Sequence, residues 1–226
     1  MTDNATEGVA SAAPSLSGVG ADVPPKPEGI AILGSHPATV MAAPFDRNWL
    51  IYACSPHNFE KHKLPRWDQW FEVHGTVPHH TRAPGYCEFV KTLPFVWVRD
   101  AEFAKQCVGA HMFPERELRG VLRTEQVDPN DPPELARKRV VEQTLGQFNY
   151  YAFTSSIAYM WAKAIDDCMR LGIRNIGIFG VMQRSNYEYE YQKQGLQYFA
   201  YESARRGIDV YAHDISWLFE PRADDW

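Results

Sequence analysis

The chain has 226 residues, 45% of them hydrophobic and 13% aromatic, which is enough to bury one sizeable core and crowded for two. Its formal net charge of -5 argues against indiscriminate binding to nucleic acid or anionic membrane. Cys54, Cys87, Cys107 and Cys168 form no CxxC pair and no stretch reaches bilayer length, so the expectation is a soluble cytoplasmic protein with reduced thiols, no zinc site and no membrane partner.

Residues 1–28 are rich in Ala, Ser, Gly, Pro and Asp without periodicity and read as a disordered leader before a domain over 29–226. The apolar run Ile30–Leu33 reads as a first strand, ending at Gly34 and followed by Ser35, His36 and Pro37. Proline suits a first helical turn, and a glycine after a strand lets backbone approach a ligand. Neither GxGxxG nor GxxxxGK[ST] is present, so this loop carries no dinucleotide or P-loop fingerprint. Further strands are expected at Trp49–Ala53, before Cys54 and Ser55, at Trp70–Val73, before His74, and at Phe95–Val98.

From Phe113 to about Arg139 the chain turns polar and proline-punctuated, which reads as a charged insertion at about 114–139, either a lid or a solvated excursion. After it, Thr154, Ser155 and Ser156 open an amphipathic pattern. Ile157, Trp161, Ala164, Ile165 and Cys168 recur at helical spacing, with Lys163, Asp166, Asp167 and Arg170 assigned to the wet face. Gly172 then stops the helix before the strand Ile176–Phe179 and Gly180. The hydroxyls at the helix start either cap free N–H groups or bind an anion there.

Tyr187, Glu188, Tyr189, Glu190 and Tyr191 follow. Tyrosine hydroxyls can stabilise phosphate charge and a carboxylate in a dry cleft can act as a base, although alternating Tyr and Glu also make a plain amphipathic edge. A helix to about Arg206 and a last strand at Ile208–Tyr211 complete the pattern. The fold class expected is therefore α/β, one Rossmann-like domain with a mostly parallel sheet flanked by helices. In such sheets ligands lie outside the carboxyl ends of the strands, where Gly34, Ser35, Ser55, His74 and Gly180 would converge.

The run from Thr154 through Met160 and Gly172 to Gly180 is similar to the Thr-Ser-Gly helix start, Ala-rich helix and Gly-terminated strand of the bacterial sialyltransferase-like family, which includes the Campylobacter bifunctional enzymes. Ile30 to Pro37 resembles that family's first strand and loop, and Trp49 to Ser55 its second strand. The stretches Leu64–Phe71 and Glu188–Lys193 look more like the family's uncharacterised tailed-phage members.

The resemblance implies a Rossmann-like fold and a cytidine-nucleotide site. By it, Ser35, His36, Ser55, Thr154, Ser155 and Ser156 would surround nucleotide and phosphate, with Ser156 standing where the family has glycine. Tyr187, Tyr189 or Tyr191 would assist the departing phosphate. The family's catalytic histidine segment between those tyrosines and the last helix has no counterpart.

The function expected is a nucleotide-dependent group transferase, in one form a glycosyltransferase using a CMP-linked or other nucleotide-activated donor, with no obligatory cofactor. Two alternatives stay open: a phage transferase acting on hydroxymethylated pyrimidines in DNA, and a non-catalytic nucleotide-binding module. No HExxH or paired-carboxylate signature appears, and adjacent His79 and His80 point to opposite faces of an extended segment, so no metal is expected. His74 is open to a crevice role or a structural one, as are His213 and Asp214 after the last strand. Among the seven tryptophans, Trp97 is assigned to the core and Trp67 is the better ligand or interface candidate.

Overall fold

The computed structural model describes residues 25–74, 83–121, 152–183 and 187–219; side-chain surroundings of Gly120, Val121, residues 187–191 and Ile215 are outside the description. Seven strands form one fully parallel sheet: β1 Gly29–Leu33, β2 Trp49–Cys54, β3 Gln69–Glu72, β4 Val96–Val98, β5 Ala110–Met112, β6 Asn175–Phe179 and β7 Asp209–Ala212, in the order β5-β4-β3-β2-β1-β6-β7. Helices α1 Pro37–Val40, α2 Tyr86–Thr92, α3 Ala101–Ala104, α4 Glu115–Val121, α5 Ser156–Leu171 and α6 Tyr187–Arg205 connect them, with a π-type turn at Asn58–His62 and a 3₁₀ turn at Asp214–Ser216.

Parallel strands need crossovers, and helices on both faces bury the sheet, so its central strands are apolar on both sides. All five residues of β1 are buried. Ile30 and Ile32 join Tyr52, Cys54, Phe71, Val73, Ile176 and Ile178 under α5 and α6. Ala31 and Leu33 join Ile51, Ala53, Trp70, Tyr86 and Val90 on the opposite face, which α1, α2 and α3 cover. This is the expected three-layer α/β architecture, and β1, paired with β2 on one side and β6 on the other, is where the order of strands reverses.

Several sequence expectations change in detail. Strand β5 was not expected: Ala110, His111 and Met112 offer no β-branched residue, and the strand exists because its backbone pairs with β4 at the sheet edge. Pro25–Glu28, assigned to the leader, are docked on the domain. Lys26 donates to the Gly172 carbonyl, Glu28 pairs with Arg47, and the Glu28 carbonyl accepts from Asn175 Nδ2 at 2.7 Å. The start of the supposed insertion is helix α4, whose Leu118 is buried in the core, while residues 122–139 lie outside the described part.

The largest correction concerns α5. Helical periodicity puts Lys163 and Asp167 on the wet face, yet both are buried, at 5% and 1% exposure. The helix is packed by the sheet, α4 and α6 at once, so its polar positions face protein. Lys163 Nζ meets Asp167 Oδ1 at 2.6 Å and lies 5.5 Å from the Trp97 ring centroid. Asp167 also accepts from the Tyr52 hydroxyl on β2 and from Arg170. Asp166 and Arg170 keep more exposed positions.

Candidate functional site

At the carboxyl ends of β1 and β6, the loops that follow the two strands touch. Gly34 N–H donates to the Phe179 carbonyl at 2.8 Å, His36 N–H to the Gly180 carbonyl at 2.7 Å, and Gly180 N–H to Thr39 Oγ1 at 2.9 Å. A Cβ on Gly34 would overlap the Gly180 carbonyl, and Gly180 itself has φ +64. Both glycines are therefore required by the contact between the loops. Gly34→Ala is expected to cost about 1–3 kcal/mol, the scale of overpacking against atoms that cannot move aside; a urea midpoint unchanged from the parent would refute this.

The remaining residues expected in that region are placed by bonds within and between the strand-end loops. His36 caps α1 by accepting from Ala38 N–H at 3.4 Å, and the Ser35 carbonyl accepts from His62 Nε2 at 2.9 Å. Ser55 is held at φ +84, an unusual conformation for a residue with a Cβ, and its Oγ accepts from His57 N–H. Asn58 ties the loops after β1 and β2 together, donating to the carbonyls of Gly34 and Cys54 at 3.0 and 2.7 Å. Its Oδ1 is buried without a donor among the described residues.

The second cluster lies at the end of β3, where the N-terminus of α5 meets it. A helix that returns between parallel strands starts at their carboxyl ends, so its free N–H groups face the same edge as the strand-end loops. The three hydroxyls there have three different partners. Thr154 Oγ1 donates to the Gln192 carbonyl at 3.4 Å, joining α5 to α6. Ser155 is the cap, accepting from Ala158 N–H at 3.3 Å with extended backbone. Ser156, half-buried, places Oγ 3.3 Å from His74 Nε2.

His74 is held from behind. Its Nδ1 lies 2.7 Å from Glu72 Oε1, and Glu72 is 2% exposed. The other oxygen, Oε2, accepts from the Tyr86 hydroxyl at 2.7 Å, which in turn accepts from the Trp70 indole N–H at 3.1 Å. Burial, reinforced by the Glu72 charge, pushes the Tyr86 pKa well up, so Tyr86 stays a proton donor to the carboxylate. A carboxylate accepts only, which puts a proton on Nδ1; in the neutral ring Nε2 is then the acceptor for the Ser156 hydroxyl. Glu72 belongs to the α2 face of the sheet and Ser156 to the α5 face, and His74 spans the carboxyl edge between them.

Cationic groups border this cluster. Arg99, just after β4, reaches the Val73 carbonyl at 3.5 Å and lies 4.7 Å from the ring centroid of Tyr159, one turn into α5. Glu115 pairs with Arg99 at 3.1 Å and with Arg119 at 2.8 Å. Arg119 stacks on Phe153 at 4.3 Å. Sequence reasoning missed Glu72, Arg99, Glu115, Arg119 and Tyr159. The alternation Phe71-Glu72-Val73 inside an apolar strand was the available signal, since a carboxylate there has to be buried with partners.

Tyr187, Glu188, Tyr189, Glu190 and Tyr191 are the opening turns of α6 itself, so the helix begins five residues earlier than an edge followed by a helix would require. Their side chains lie outside the described part, but Gln192, the next residue, touches Thr154 through its carbonyl. The start of α6 therefore approaches the start of α5. His213 and Asp214 sit beyond β7 at the sheet edge, and His79 and His80 lie outside the described residues.

Trp67, the expected ligand platform, is taken up by an aromatic cluster. It packs edge-on against Trp70 and Phe89, with centroids 5.4 and 5.7 Å away. Trp97 is partly buried, its indole donating to Gln69 Oε1 at 2.6 Å. The four cysteines are free thiols, and burial with the Asp167 charge pushes Cys168 up to about 12, which keeps it protonated. Among the described residues no group of three His, Cys, Asp or Glu side chains is placed to hold a metal ion, and no helix is long and apolar enough to cross a membrane. Comparison of the chain with protein-family models, with curated proteins and with solved structures finds no match.

Proposed function

We propose that the chain is a nucleotide-dependent group transferase whose donor phosphate lies at the N-terminus of α5, the carboxyl edge of the sheet providing the cleft. The observation that carries this reading is a sixteen-residue helix whose half-buried hydroxyl-bearing start lies beside the strand-end loops and Arg99. Unsatisfied N–H groups and the helix dipole favour an anion at such a start, and a guanidinium adds a charge-assisted partner. The resemblance to the sialyltransferase-like family makes a cytidine nucleotide the first donor to try, with a glycosyl group as the group transferred. In this reading Tyr187, Tyr189 and Tyr191 stabilise the leaving phosphate, and Glu188 or Glu190 receives the acceptor proton.

The test is titration with CMP, CDP, UDP, ADP and GDP followed by calorimetry. Ser155→Ala is expected to weaken binding about fivefold to tenfold, the scale of 1–1.4 kcal/mol for a bond to a charged group. The same variant loses about 0.5–2 kcal/mol of stability, because Ser155 is also the cap. Thr154→Ala, whose hydroxyl serves Gln192, is expected to have the smaller effect on nucleotide. A chain that binds none of these nucleotides would end the reading.

A further inference from the structure

The chain Glu72–His74–Ser156 has the connectivity of a hydroxyl nucleophile, a base and an orienting carboxylate. We propose that Ser156 is an activated nucleophile and that the cluster catalyses acyl transfer from an ester or thioester donor to water or another acceptor. This goes beyond the nucleotide reading and does not depend on it.

Four features of the structure support the assignment. The imidazole is oriented on one side by a carboxylate that is itself locked: Glu72 is buried, and both of its oxygens are engaged, by His74 and by Tyr86. A neutral ring with its proton on Nδ1 presents Nε2 to the hydroxyl, and an O···N separation of 3.3 Å is within the looser range expected before substrate binds. Ser156 and His74 are both partly exposed, so a substrate can reach the pair. Finally, Ser156 is the first residue of α5. The Ser155 side chain occupies Ala158 N–H, while no acceptor among the described residues meets the N–H of Ser156 or Ile157. Two such donors beside a nucleophile are the requirement for stabilising an oxyanion.

Ser156 Oγ attacks the carbonyl carbon while its proton passes to His74 Nε2. The carbonyl electrons move onto oxygen, which the free N–H groups receive. Collapse expels the alcohol or thiol, which leaves with the proton from Nε2, and Ser156 carries the acyl group. Water or an acceptor hydroxyl then repeats the sequence, again giving its proton to His74, and releases the acid or ester with Ser156 restored. Glu72 keeps its proton-free state throughout and acts as a positioning residue.

A fluorophosphonate probe tests this without knowledge of the natural donor, because the same attack displaces fluoride and leaves a stable phosphonyl-serine. Intact-mass and peptide analysis of the full chain is expected to find one adduct, on Ser156. Ser156→Ala should abolish it. His74→Asn should slow it by about a hundredfold or more, the contribution of a positioned base, with circular dichroism and melting showing that the fold is retained. Ser156→Cys, assayed with iodoacetamide at pH 6, should alkylate faster than the same variant carrying His74→Asn, because the imidazole supports the thiolate. A folded parent chain that takes no adduct, or takes it on another serine, overturns the proposal. So does an adduct rate that His74→Asn leaves unchanged. Nucleotide titration is scored separately, so failure of either reading is seen on its own.

Discussion

Asp167→Ala is expected to destabilise the protein by about 3–5 kcal/mol, read as a shift in the urea unfolding midpoint at constant slope. The carboxylate is buried at 1% exposure and receives three partners: Lys163, itself 5% exposed, Arg170 and the Tyr52 hydroxyl. Removing it strands the Lys163 ammonium against Trp97 with only Asp166, at 3.3 Å, in reach. Replacing the group together tests the cause. Lys163→Met with Asp167→Leu and Tyr52→Phe removes every buried polar atom of the cluster and is expected to recover most of the loss, since apolar substitution of a whole buried pair is often close to neutral. A triple variant as unstable as Asp167→Ala would show that shape, and not the uncompensated charge, sets the cost.

The same carboxylate gives stability a pH dependence. Burial pushes its pKa up, but the hydrogen bonds from Lys163, Tyr52 and Arg170 outweigh burial and leave it below the ordinary value. A carboxyl whose folded pKa is depressed stabilises the fold fully above its unfolded value of about 3.9 and ceases to do so as pH falls through the folded value. The urea midpoint should therefore fall below about pH 4. In the triple variant that acid limb should be shallower, and an identical limb would assign it to other carboxylates.

Trp161→Ala is the second large effect, at about 3–5 kcal/mol. Trp161 is fully buried between α5 and α6, and its indole N–H donates to Ser203 Oγ at 3.0 Å. Ser203 passes its own hydrogen to the Phe199 carbonyl at 2.8 Å, so the contact is a polar clasp inside an apolar interface. Ser203→Ala keeps the packing and strands the indole donor, at a cost of about 1–3 kcal/mol. The two substitutions should be less than additive because they remove one shared bond. Since the clasp fixes α6 against α5, it also fixes where the Tyr187 turn stands relative to Thr154. Loss of nucleotide binding in Ser203→Ala at full occupancy of the folded state would show that this spacing matters to the site.

How far the site was legible depends on whether its signals were local. The helix start at Thr154–Ser156, the Gly172 stop and the Pro37 turn were readable because caps, left-handed glycines and first-turn prolines act through neighbouring backbone. Six of the seven strands were readable for the same reason, as apolar runs bounded by turn residues. Edge strand β5 was not, because its only support is a ladder to β4. The roles of the three hydroxyls were also hidden. Ser155 bonds within its own turn, whereas Thr154 and Ser156 take partners 38 and 82 residues away, which no local pattern marks.

The order of residues by itself determined a parallel α/β sheet buried on both faces and a hydroxyl-bearing helix start at its carboxyl edge, since hydrophobic period, capping and turn chemistry are written within a few residues. Only the tertiary structure decided that Lys163 and Asp167 are buried, that Trp67 belongs to an aromatic cluster, and that Glu72, His74 and Ser156 form one chain. Those facts depend on which face a helix turns to the sheet and on contacts across 82 residues of sequence, which local pattern does not encode.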